Sequence, residues 1–136
     1  MSVATTSHVT EIPAGLPQAA AEHFERLLAF ETDCWDVHES MKNGSQDFVL
    51  LHVNDDQSGF DAGHIAGATH MYHATITEEA LEAYPPETLF VVYCAGPHCN
   101  AADKAGARLA RLGRPVKKMI GGKSGWLEEG FDLVTS

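Results

Sequence analysis

The stretch Leu89-Phe90-Val91-Val92-Tyr93-Cys94-Ala95-Gly96-Pro97-His98-Cys99-Asn100 decides how this chain is read. Its first five residues form an unbroken apolar and aromatic run, the pattern of a strand covered on both faces. The run stops at a thiol and turns through Gly96 and Pro97. From Asn100 it enters an alanine-rich stretch to Leu112, which Gly113 closes as a helix. A buried strand handed to a helix through a short loop is half of a βαβ unit.

The flanking segments repeat that logic. Asp47 to Val53 is a second nearly continuous apolar run, Val116 to Ile120 a third, and Ala68 to Tyr72 a short strand. Asp33 is placed as the N-cap of a helix carrying Trp35, Val37 and Met41 and ended by Asn43-Gly44. A helix over Glu78 to Tyr84 is expected to open at Thr75 or Thr77 and stop at Pro85-Pro86; another surrounds Trp126 after Gly121-Gly122. Upstream, Pro17 begins a helix with Ala20, Phe24, Leu27 and Leu28 on one stripe. Alternating strands and helices predict an α/β fold with a mainly parallel central sheet and helices on both faces. No boundary signal follows residue 30. The expected division is an N-terminal extension, residues 1–30, with loosely attached residues 1–15 and one amphipathic helix, and a single domain over residues 31–136.

Composition narrows the partners. The chain has 136 residues, with nineteen acidic against nine basic and a formal net charge of −10. Such a charge repels nucleic acid and anionic membrane. No apolar run approaches the roughly 20 residues of a bilayer span. The first sixteen residues lack a secretory pattern. Three cysteines, an odd number, argue for free thiols and a reducing, cytoplasmic setting. Seven of the nine basic residues lie from Lys104 onward, either as a positive face near an anion site or as solvated helix surface. The stripe at Phe24, Leu27 and Leu28 needs a partner surface, on its own domain or in a homodimer.

In open parallel sheets, sites form beyond the carboxyl ends of the strands, which is where Cys94 stands. The loop can aim backbone N–H groups and the positive end of a helix dipole at its sulfur, favouring thiolate. The other reading of a cysteine after an apolar strand is a buried, inert core thiol. Cys99, five residues on, is either a resolving thiol for Cys94 or a small residue packed at the helix start. His98 can donate to an anion. A phosphate-gripping loop would need an arginine where Asn100 stands. His70 and His73, with His52, His64 or Cys94, lack a metal-site signature, and no metal or other cofactor is assigned.

Three motifs in order resemble the rhodanese family. Gly63-His64-Ile65-Ala66-Gly67-Ala68 resembles its G-H-I-P-G-A turn, with Ala66 in place of Pro. Tyr93-Cys94 resembles the strand end carrying its nucleophile. Lys118-Met119-Ile120-Gly121-Gly122, with Trp126 and Gly130-Phe131, resembles its closing strand, double-glycine turn and terminal W-x-x-x-G-[FY]. The run Cys94 to Ala102 is similar to a C-x-G-P-x-C-N-A-A subgroup. The resemblance implies the rhodanese-like three-layer fold and a sulfurtransferase that forms a persulfide on Cys94. It implies a binding loop of Ala95, Gly96, Pro97, His98, Cys99 and Asn100, and as partners a small sulfur donor with a thiol, cyanide or partner-protein acceptor. Where the family usually has Asp-Val-Arg, this chain has His52-Val53-Asn54, so an acid and a cation are missing there. A loop without Arg or Lys is expected to disfavour thiosulfate. A binding or redox-regulatory module with little turnover is the alternative.

Overall fold

In the computed structural model, which describes residues 7–136, two central strands are buried almost throughout. These are β2, Val49–His52, and β4, Phe90–Tyr93. With β1 (Glu31–Thr32), β3 (Thr69–His70) and β5 (Val116–Met119) they form one sheet in the order β1-β5-β4-β2-β3. Every pairing is parallel, with His52 opposite Tyr93 and Val92 opposite Lys118. Side chains alternate across such a sheet, so the core has two halves. Leu51, Val53, Phe90, Val92 and Cys94 pack on Ala101, Ala102, Ala105 and Leu109 of α4, Ala101–Arg111. Leu50, Val91 and Tyr93 face Val37 of α2 (Cys34–Lys42) and Trp126 of α5 (Gly122–Glu128). Helices on both faces give three layers.

Local chemistry sets the element ends. Asp33 caps α2 as predicted, its carboxylate accepting from Asp36 N at 2.8 Å. The Pro17 helix, α1 (Pro17–Phe30), buries none of its residues and leaves Phe24 and Leu28 exposed. Of segment 1–15, residues 1–6 lie outside the described residues, and 7–15 are exposed.

Three elements depart from the sequence expectations. β1 is a two-residue edge strand where only a helix start was read; it is too short for periodicity and exists through its pairing with β5. Helix α3, Gln57–Ala62, was missed: it buries only Phe60 and so shows no stripe. The Glu78–Tyr84 helix contracts to a 3-10 turn, Glu79–Leu81. The Arg114 guanidinium takes the carbonyls of Leu81, Tyr84 and Pro85 at 2.9, 3.0 and 2.6 Å, groups a continuing helix would have bonded itself.

Candidate active site

Cys94 follows the last residue of β4 and turns toward the α4 face, where it is 4% exposed. The next residues cannot continue the strand, because their carbonyls are drawn elsewhere. Lys123 N donates to Cys94 O at 2.9 Å. Ser124 N and Ser124 Oγ both donate to Ala95 O at 3.0 Å, and Cys99 N donates to Gly96 O at 3.1 Å. These bonds tie the loop to the start of α5. The N–H groups of Ala102 and Gly96 favour the Cys94 anion, and those of Ala101 and Ala95 the Cys99 anion. Gly122, in the left-handed region at φ 59°, makes this approach possible: a Cβ there would overlap the Cys94 carbonyl.

The electrostatics correct the simple thiolate expectation. Burial pushes the Cys94 thiol up, and the amides of Ala102 and Gly96 offset only part of that. The Cys94 thiol donates to Cys99 O at 3.3 Å. Burial also opposes ionisation of Cys99, but the amides of Ala101 and Ala95 and the neighbouring Cys94 thiol outweigh it, leaving Cys99 below the ordinary thiol range. The first proton therefore leaves this pair more readily than it leaves an isolated thiol, and the second less readily. Cys34, the third free thiol, is pushed up to about 11 by burial and donates to Ile120 O at 3.5 Å.

Cys94 and Cys99 line one cleft of about 200 Å³ with Gly96, Pro97, Asp103, Lys118 and the Gly121-Gly122 turn. The volume equals several water molecules at roughly 30 Å³ each, room for a small donor. Ala95, His98 and Asn100 are exposed and are not among its lining residues, so the loop's six residues do not act as one wall. Lys118 brings a cation that the loop sequence lacks, but pairs with Asp103 at 3.1 Å and Glu31 at 3.6 Å. Two other basic residues of this region bond to backbone carbonyls: Lys117 Nζ donates to Leu28 O at 3.0 Å, and Arg114 serves the turn before β4.

Beside His52-Val53-Asn54 an acid and a cation meet, Asp55 and Lys123. Ile65 N donates to Tyr93 Oη at 3.1 Å, and the Tyr93 hydroxyl donates to Nδ1 of the fully buried His52 at 2.8 Å. His52 Nε2 then donates to Asp55 Oδ2 at 3.3 Å, which Lys123 Nζ also reaches at 3.3 Å. This chain of bonds braces β2, the Gly63–Ala68 turn and the start of α5 behind the loop. Asp55 sits at φ 68°, a strained value for a residue with a side chain. No local signal marked Asp55 or Lys123, because their partnership spans 68 residues. His64 holds its turn: Nδ1 donates to Phe60 O at 2.8 Å, and its backbone bridges Val134. His70 Nε2 donates to Asp55 O at 2.9 Å. Among the described residues, no group of three or more His, Cys, Asp or Glu is placed to hold a metal ion. No described helix is long and apolar enough to cross a membrane.

A five-stranded parallel α/β sheet, with a cysteine-led loop between its central strand and α4, defines the class. Residues 35–129 match the rhodanese-like domain model. The chain belongs to the rhodanese-like domain family. It is similar to the BH2092 protein from Bacillus halodurans at 32% identity and TM-score 0.84, covering 88% of this chain and 87% of that one. The rhodanese-like domain of the Alr3790 protein from Anabaena aligns at 24% identity and TM-score 0.69, over 78% of this chain and 79% of that one. A thiosulfate sulfurtransferase from Pseudomonas aeruginosa shares the fold at 20% identity and TM-score 0.66, over 85% of this chain but 21% of that one. No curated protein matches the sequence.

Proposed function

We propose that this protein is a sulfurtransferase that moves a sulfane sulfur through a persulfide on Cys94 to a thiol or cyanide acceptor. The observation that carries this reading is a thiol at the carboxyl end of the central strand, facing a small cleft lined by the loop and the Gly121-Gly122 turn. The Cys94 thiolate attacks the donor's sulfane sulfur, and the donor's S–S bond breaks with its electron pair leaving on the departing group. That group is a thiolate from a persulfide or sulfite from thiosulfate. The acceptor then attacks the outer sulfur of the Cys94 persulfide, and Cys94 leaves as thiolate. Loop amides offset part of the cost of burying the Cys94 anion in both directions.

The charge in the cleft selects the donor. Lys118 is neutralised by Asp103 and Glu31, so a dianion such as thiosulfate meets no free cation among the described lining residues. A small-molecule persulfide, or one carried by a partner protein, fits better. The free thiols suit a reducing, cytoplasmic setting.

The deep burial of Cys94 favours one second reading, a rhodanese-like binding or redox-regulatory module with little turnover. Incubation with a small-molecule persulfide and with thiosulfate, followed by mass spectrometry, separates the two. Transfer predicts that Cys94 takes up one sulfur, read as a mass gain or as sulfide released from the loaded protein, and faster from the persulfide. Neither a gain nor released sulfide from either donor leaves the binding module.

A further inference from the structure

We propose that Cys99 is a second working sulfur of this site, resolving the Cys94 persulfide into a Cys94–Cys99 disulfide with release of hydrosulfide. The inference rests on the persulfide reading above and deepens it.

Three observations carry it. Both cysteines line the same small cleft, and Cys99 is the more exposed of the two. The loop folds back so that the Cys99 carbonyl meets the Cys94 thiol at 3.3 Å, while Cys99 N closes onto Gly96 O at 3.1 Å. Backbone amides favour the anion of each sulfur, Ala95 and Ala101 at Cys99, Gly96 and Ala102 at Cys94. The depressed Cys99 thiol agrees with this arrangement, since the resolving step needs a thiolate.

The step balances without an added oxidant. Cys99 thiolate attacks the Cys94 sulfur bonded to the sulfane sulfur; that S–S bond breaks, and the sulfane sulfur leaves with its proton as hydrosulfide. The Cys94–Cys99 bond forms in its place. Two equivalents of a low-molecular thiol then reopen the disulfide and leave as their own disulfide. The sulfane sulfur is reduced to sulfide, and the external thiol is oxidised.

The test compares wild type with Cys99→Ser and Cys99→Ala, circular dichroism confirming the fold. Each is treated with a small-molecule persulfide, freed of excess reagent, and held without reductant. Wild type is expected to release stoichiometric hydrosulfide and end two hydrogens lighter than the free-thiol protein, with only Cys34 open to alkylation after unfolding. The variants are expected to keep the extra sulfur on Cys94 and to release hydrosulfide roughly ten-fold or more slowly. Equal release from wild type and variants, or a wild-type persulfide that waits for cyanide, overturns the resolving role and leaves the transferase standing. No sulfur gain in any of the three proteins overturns both.

Discussion

Gly122→Ala is the sharpest probe of the loop's architecture. Gly122 has φ 59°, and a Cβ on it would overlap the Cys94 carbonyl oxygen and stand 2.8 Å from Gly96 N and 3.1 Å from Ala95 C. All three are backbone atoms, so no side chain can swing away. The left-handed conformation alone costs an L-residue roughly 1–2 kcal/mol. Overpacking a tight contact adds about 1–3 kcal/mol. The expected destabilisation is therefore about 2–5 kcal/mol. Gly113→Ala is the internal control: Gly113 has φ 79° but nothing within 4 Å of an added Cβ, so it reports the conformational cost alone. Relief of the overlap must move the Cys94 loop by about 1 Å, enough to slow a reaction at Cys94 on the order of a hundredfold. Denaturant unfolding measures the first effect, and the rate of persulfide formation the second. The reasoning is refuted if Gly122→Ala unfolds at the same midpoint as Gly113→Ala and loads sulfur at the wild-type rate.

Two further expectations concern charge. Burial holds the His52 imidazole down to about 4 from its ordinary 6.5, so the unfolded chain takes a proton that the folded one refuses. Stability is then full above pH 6.5 and falls as the pH drops to about 4, by about 3 kcal/mol. It levels off below that from this group, and His52→Gln flattens this window in pH-dependent unfolding; an unchanged slope would assign it to other groups. Asp103→Asn removes the nearer of two carboxylates from Lys118. Releasing a pair of about 1 kcal/mol predicts thiosulfate loading about five-fold faster, while loading from a neutral persulfide donor stays constant. Steady-state sulfur transfer with both donors checks this, and no gain with thiosulfate removes Lys118 from donor selection.

Some of this molecule is written locally. The apolar runs of β2 and β4 are visible because a strand buried on both faces has no polar face to interrupt it. Asp33 announces α2 because an N-cap is a contact made three residues away. Gly113, the double glycine and the position of Cys94 at a strand end are likewise properties of short segments; the last two, with the Gly63–Ala68 turn, Trp126 and Gly130-Phe131, carried the family resemblance. Helix α3 and strand β1 escaped because six residues, or two, carry no period.

What only the tertiary structure decided is the set of partnerships across crossovers. Asp55 and Lys123 meet beside the strand end from which an acid and a cation were read as missing, and Lys118 enters the cleft already neutralised. The loop after Cys94 is held by Lys123 and Ser124, some thirty residues downstream, which bond the carbonyls of Cys94 and Ala95. Burial then moves the Cys94 thiol up rather than down and leaves Cys99 the readier thiolate. The sequence determined where the sulfur stands, because strands and loops follow local patterns. Its charge and reach depended on desolvation and on distant backbone atoms, and those exist only once the parallel crossovers bring β2, β4 and β5 side by side.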